Sequence, residues 1–386
     1  LAFRVDDGGA QDGSDAKDDG DSGKDDDKHA QVFVMPMDGG DPVRITHVKQ
    51  GVDEFSWSPD GSRIAFITAD EAKNAKAIKA HDDAFQVGDN HFLVRAALTP
   101  DHLWVVASTG GEAKRLTEGD FSLQTDQQDS APVPEWSRDG RSIAFTRFPN
   151  PYWGPSFQSV VDAVDADGGK PRELVDAQGA ADLKFAPVGD AFAYLRPRGG
   201  DQNNGNAVYV GDGKGDARDV TAALARNIDG YAWLPQGRAL LLAGADGTHS
   251  VFWEQPLDGP ARKLDLGELL PDPDISVAHG GRIAFIASTP AHRGELYVLD
   301  SPDAKPRRLT DFNAFLDRLQ LGRSETVEWD SADGFHEDGV LTYPPDYRKG
   351  RKYPLVLVIH GGPEGSSDLR FSSLSQLLAA NGFLVF

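Results

Sequence analysis

Internal repetition constrains this chain more than any other feature. An aromatic or apolar pair, a polar turn and a short hydrophobic strand recur as FSWSPDGSRIAF (Phe55 to Phe66) and PEWSRDGRSIAF (Pro134 to Phe145). Weaker copies are LKFAPVGDAFAY (Leu183 to Tyr194), YAWLPQGRALLL (Tyr231 to Leu242) and HGGRIAF (His279 to Phe285). A second phrase follows at a distance: a strand, an Asp/Gly turn, then a short strand ending near Leu-Thr. It is clearest in QVFVMPMDGGDPVRIT (Gln31 to Thr46), LWVVASTGGEAKRLT (Leu103 to Thr117) and ELYVLDSPDAKPRRLT (Glu295 to Thr310). In Pro-Asp-Gly the ring presets φ, Asp bonds nearby backbone and Gly takes φ > 0. Alternating apolar residues on either side make half-buried strands.

Two hairpins per repeat predict a four-stranded antiparallel sheet. Trp136, Phe185 and Trp233 recur at a spacing of about 49 residues, that of a β-propeller blade. Six units are visible, the first one incomplete, and they read as part of a seven- or eight-bladed all-β propeller over residues 1–318. Two insertions interrupt it. Residues 6–28 hold ten Asp and three Lys with no apolar residue larger than Ala, which predicts a solvated acidic loop. A calcium loop would need a regular ligand spacing with a Gly and a distal Glu, and none is present. The second insertion, about residues 69–100, opens with the Ala- and Lys-rich DEAKNAKAIKAHDDAF (Asp70 to Phe85), which predicts a helix.

Composition removes several functions. Lys and Arg number 39 against 61 Asp and Glu, a net charge of −22, so binding to a nucleic-acid backbone is not expected. No apolar run is long enough for a membrane-spanning helix. The absence of cysteine excludes disulfides, thiolate metal sites and cysteine nucleophiles. His29, His47, His81, His91 and His102 show no metal-ligand spacing, so neither a metal nor another cofactor is expected. The chain opens at Leu1 in the strand-like LAFRV and stops at Phe386 in GFLVF. Both ends read as the inside of a longer protein, cytoplasmic or periplasmic in a bacterium by its residue usage, with a homo-oligomer compatible.

The pattern changes after Thr310. DFNAFLDRLQLG reads as an amphipathic linker, and ETVEWDSADGFHEDGVLTYP as a hairpin with an Asp-Gly turn. Leu355 to Ile359 is a continuous apolar run, as in a strand buried on both faces of a mostly parallel sheet. Phe371, Leu374 and Leu378, with Leu377 beside them, predict a helix, and Gly382 sits where its C-terminal cap belongs. Phe383 to Phe386 opens another strand. Residues 319–386 therefore read as the start of an α/β domain. Directly after the buried strand stands HGGP, His360 to Pro363. A plain tight turn is one reading. In the other, the loop supplies a rigid N–H to an oxyanion hole, as HGGG-type loops do in α/β-hydrolases. The flanking strand and helix favour the second.

The segment GVLTYPPDYRKGRKYPLVLVIHGGPEG (Gly339 to Gly365) resembles the start of the catalytic domain in the prolyl oligopeptidase family of serine peptidases, closest to its acylaminoacyl-peptidase and dipeptidyl-peptidase-like branch. The resemblance implies a serine hydrolase acting on short peptides through an acyl-enzyme, with the propeller restricting access. It also implies that His360, Gly361 and Gly362 form the oxyanion-hole loop, Gly361 or Gly362 giving the main-chain N–H. His360 orients that loop, donates to the oxyanion, or is structural. Relatives hold a substrate's free amino group with carboxylates on a propeller insertion, where Asp70, Glu71, Asp82 and Asp83 lie here; a solvated acidic helix is the plainer reading. No G-x-S-x-G is present, so catalytic Ser, Asp and His are expected after Phe386 and this piece alone is expected to be inactive. A non-enzymatic propeller interaction module and a propeller-linked esterase are the competing readings.

Overall fold

The computed structural model describes residues 1–6, 29–72, 75–81, 98–126, 128, 131–154, 156–215, 217–362 and 365–386. The acidic insertion at 7–28 and most of the second insertion (73–74 and 82–97) lie outside the described residues. The chain divides into two compact units, Leu1–Phe185 and Ala186–Phe386.

Antiparallel sheets whose strands follow one another in chain order build most of both units. The first unit holds Ala2–Asp6, Ala30–Val34 and Val43–Arg44; then Glu54–Trp57, Arg63–Ala69, Asp101–Ala107 and Lys114–Arg115; then Glu135–Trp136, Ser142–Arg147, Val160–Asp165 and Arg172–Val175. The strand Ala181–Phe185 closes it. In the second unit, Phe192–Pro197, Asn206–Gly211 and Arg218–Asp219 come first. Two complete sheets follow: Ile228–Trp233 through Arg262–Lys263, and Leu270–Val277 through Arg307–Arg308. The strand pairs that the repeats predict are therefore present. Between successive sheets lie apolar layers, one built on Leu103, Leu123, Ile143 and Phe145, another on Leu241, Phe252, Ile283 and Phe285. Of the helix expected at Asp70–Phe85, the described residues hold a six-residue piece, Ala75–Ala80.

Turn chemistry explains the first phrase. In SPDGS the Asp60 carboxylate accepts from the Ser58 hydroxyl at 2.6 Å and from the Ser62 amide at 3.0 Å, while Gly61 takes φ +69°. Those bonds hold the Asp60 carboxyl at about 2. The second copy repeats the arrangement, Ser137 and the Arg141 amide on Asp139 at 2.7 and 3.1 Å, with Gly140 at φ +68°.

The Leu-Thr ending of the second phrase has an equally specific cause. Where this ending is present the outermost strand is two residues long, and the sheet still needs an acceptor for the next amide of the strand before it. Threonine supplies it. The Val32 amide donates to Thr46 Oγ1 (2.9 Å), Leu103 to Thr117 (2.9 Å), Val208 to Thr221 (3.1 Å) and Leu296 to Thr310 (2.9 Å). In return the residue before each threonine donates its amide to the carbonyl of the same third-strand residue, at 2.8–3.0 Å. Thr46, Thr117 and Thr221 are buried.

A mixed sheet ends the second unit. Ser324–Asp330 and His336–Thr342 form the expected hairpin, turning at Gly334 with φ +87°. Leu384–Val385 joins antiparallel to Thr342, and Leu355–Val356 joins parallel to Leu384–Val385. The helix between them is Ser373–Ala380, capped by the Ser372 hydroxyl accepting from the Ser375 amide, with Gly382 at φ +89° beyond it. One expectation needs correction. Leu355–Val356 is the edge strand, and Leu355, Leu357, Val358 and Ile359 are exposed rather than buried, because among the described residues it is paired on one side only. The helix turns Gln376 and Ala379 inward and leaves Leu374 and Leu377 exposed. Gln376 wins that position through polar pairing: its side-chain amide exchanges bonds of 2.8 and 2.9 Å with the Gly322 backbone.

Thr221→Val keeps the shape and removes the acceptor of the buried Val208 amide. It is expected to cost about 1–3 kcal/mol in denaturant unfolding, and Thr221→Ser clearly less. A neutral Thr221→Val would show that the hydroxyl does not close the sheet.

Candidate active-site loop

The loop after Val356 is anchored at its start by the mixed sheet. The Val358 amide donates to the Phe386 carbonyl at 2.7 Å, and the Phe386 amide to the Val356 carbonyl at 2.9 Å. His360, Gly361 and Gly362 follow and are exposed. His360 Nδ1 lies 2.7 Å from the Gly361 carbonyl, so Nδ1 carries the proton and donates. Among the described residues, the Gly361 and Gly362 amides form no ladder bond. The loop then doubles back: a Cβ on Gly365 would stand 2.1 Å from the Gly361 carbonyl and 3.1 Å from His360 Nδ1. Glycine is needed there for close approach of backbone to backbone.

At its far end the loop is fastened to the neighbouring strands. The Leu369 amide donates to the Thr248 carbonyl at 2.9 Å, and the Ser250 hydroxyl to Asp368 at 2.7 Å. Asp368 also accepts from the Arg370 amide (2.7 Å) and Nε (2.8 Å), and Arg370 pairs onward with Asp272. A cavity of about 500 Å³ lies beside this fastening, lined in part by Asn227, Asp229, Asp338, Ser366 and Arg370. Sequence reading missed Asp272, Ser250, Asp368 and Arg370 together. Asp272 and Arg370 are 98 positions apart, and no local pattern links them.

Asp70 and Glu71 lie in the first unit, His360–Gly362 in the second. Asp70 is held by Arg115 through two bonds of 2.9 and 3.0 Å, with His102 Nε2 at 3.7 Å. Glu71 pairs with Lys49 at 2.9 Å on the exposed surface. Both carboxylates border a cavity of about 500 Å³ with Trp104 and Arg115, each already facing a cation. Asp82 and Asp83 lie outside the described residues.

No family model matches the chain. It is 23% identical over 339 residues to dipeptidyl-peptidase 5 of Porphyromonas gingivalis, covering 87% of this chain and 39% of that protein. Over 406 residues it is 23% identical to YuxL of Bacillus subtilis, an uncharacterised peptidase, covering 92% and 57%. The acylaminoacyl peptidase of Pyrococcus horikoshii superposes with a TM-score of 0.69 at 16% identity, covering 92% of this chain and 53% of that one. This structural likeness bears on the fold. The chain spans about half the length of the curated relatives it matches.

Two acids on the first unit's strands are strongly displaced. Burial pushes Glu135 up to about 7, against the opposing effect of the Phe185 amide that donates to it at 3.2 Å. Asp101, buried beside Asp53 and Ser122, is pushed up to about 8. A carboxyl whose folded pKa is raised holds its proton more tightly when folded, so it withdraws stability as pH rises from the unfolded value toward the folded one. For Glu135 that window runs from 4.5 to about 7. Glu135→Gln keeps the acceptor for Phe185 and removes the titration. Thermal melts at pH 5 and pH 8 are expected to show its advantage over the parent growing with pH; a constant difference would mean that Glu135 ionises freely in the fold.

Proposed function

We propose, from the premise that this chain is related to the serine peptidases of the prolyl oligopeptidase family, that it forms the access-limiting propeller of such an enzyme together with the first elements of its hydrolytic domain. Residues 1–318 are the propeller, its first blade incomplete, and residues 319–386 begin the α/β-hydrolase domain. The full protein hydrolyses peptide bonds in short peptides through an acyl-enzyme. Its nucleophile, acid and base lie in the part of the protein outside these 386 residues.

The observation that carries this reading is the parallel pairing of Leu355–Val356 with Leu384–Val385 across the helix Ser373–Ala380, with a Gly-Gly loop at the C-terminal end of the first strand. A strand–helix–strand crossover of this kind begins a doubly covered sheet, and α/β enzymes place their chemistry at the carboxyl ends of such strands. The exposed Leu355, Leu357, Val358 and Ile359 suit a strand that further elements of the full protein cover.

Acyl transfer builds negative charge on the carbonyl oxygen, and a fixed N–H aimed at that oxygen stabilises the transition state by about 2.7–4 kcal/mol. Gly361 and Gly362 offer the N–H groups for this. His360, its Nδ1 donating to the Gly361 carbonyl, has no proton left on Nε2 when neutral. The ring therefore braces the loop rather than donating to the oxyanion. The Asp70 and Glu71 carboxylates bind a substrate ammonium only by exchanging Arg115 and Lys49 for it.

A fluorophosphonate probe is expected to label one serine of the full-length protein outside these residues and to leave the isolated 386-residue chain unlabelled. Cleavage of peptides with free and with blocked N-termini then separates dipeptidyl release from acyl-aminoacyl release. Full-length protein that resists the probe and cleaves neither peptide class would refute the reading.

A further inference from the structure

We infer that Arg370, clasped between Asp272 and Asp368, is a positioning residue that sets the Gly361 and Gly362 amides for catalysis, with Asp272 acting through it and Ser250 through Asp368. The inference rests on the hydrolase reading above and adds residues that this reading does not contain.

Asp272 sits where its strand leaves the regular ladder. Leu270–Val277 pairs with Ile283–Ser288 at Leu270 and Pro271 and again from Ile275, with a shift of register between. A break of this sort re-aims side chains and is found beside functional sites. The Asp272 carboxylate is thereby offered to Arg370, and the two side chains are about one-third exposed. Arg370 binds one carboxylate with Nε and another with a terminal nitrogen, two donors held apart in one rigid plane, where an ammonium would offer its three from a single nitrogen. Asp368 in turn accepts from Ser250 and from the Arg370 amide, and Leu369 donates to Thr248. Three successive residues, 368 to 370, are thus tied to Thr248, Ser250 and Asp272.

The consequence falls on the described loop residues His360–Gly362 and Gly365–Ser366. One end is fixed by the Val358–Phe386 bond and the other by the clasp, while the side-chain hydrogen bond described between them, His360 to Gly361, is internal to the loop. Glycines at 361, 362 and 365 give the segment wide conformational freedom, and an oxyanion donor works only when its direction is fixed before the reaction. Misplacement by about 1 Å is enough to cost roughly 100-fold in rate.

The test uses the full-length protein carrying Asp272→Asn, Arg370→Lys, or both. Each single variant is expected to lower kcat and the rate of fluorophosphonate labelling by about 10-fold or more, with KM changed less than about threefold. The double variant should be little worse than the worse single one, since both break one clasp. Amide exchange should quicken over residues 359–367 and stay unchanged over Ala239–Asp246, which separates loop release from general unfolding. Rates within twofold of the parent, a loss confined to KM, strictly additive effects, or unaltered exchange in the loop would each overturn the assignment. If the parent itself is never labelled, the hydrolase reading fails, and the exchange measurement still decides whether the clasp orders the loop.

Discussion

The bond between a buried third-strand amide and a threonine hydroxyl is what lets these sheets end where they do. A fourth strand of two residues runs out before the third strand's donors are satisfied. Thr46, Thr117, Thr221 and Thr310 each bring the missing acceptor back to the sheet. Their own hydrogens go to Gln31, Asp219 and Glu295, and Thr117 meets His102 Nδ1. The sheet therefore needs little outer strand, and what matters is the placement of its hairpins. In the second unit the hairpin joining Ala239–Asp246 to His249–Pro256 carries Thr248 and Ser250, the groups that receive residues 368 and 369.

The acidity of the chain looks different once the turns are drawn. Asp60, Asp139, Asp201, Asp212, Asp219 and Asp265 each accept the amide two residues on, so much of the carboxylate excess works as turn chemistry. Asp368 does the same to the Arg370 amide, and its second oxygen takes the Arg370 side chain and Ser250. An ordinary Asp turn has there become a junction between distant parts of the chain. Net charge read from composition says nothing of this work.

How much was legible follows from how local each interaction is. Ser-Pro-Asp-Gly turns, alternating strands, the 331–335 turn and the helix before Gly382 are decided within a few residues, and their sequences announce them. Burial is decided by neighbours. The apolar run at Leu355–Ile359 reads as a covered strand, but its coverage depends on elements that the run does not specify. The helix face is set in the same way: Gln376 matches the Gly322 backbone and takes the inward place, leaving Leu374 and Leu377 exposed. Asp70 and Glu71 look available in sequence because Arg115 and Lys49 are remote from them.

Glycine-rich loops are often read as mobile, and here the packing argues otherwise. The Gly365 backbone lies so close to the Gly361 carbonyl that no side chain fits at 365. The missing Cβ is used for contact. Gly361 and Gly365 pack against one another between a strand ladder and an arginine clasp, which restricts these described residues before any ligand arrives. That is the condition under which a backbone N–H stabilises charge, because water and loose donors must reorganise as the charge forms while a fixed dipole need not. On the proposed reading, the strand repeats bear on the chemistry of the loop through the clasp as well as through any limit they set on access.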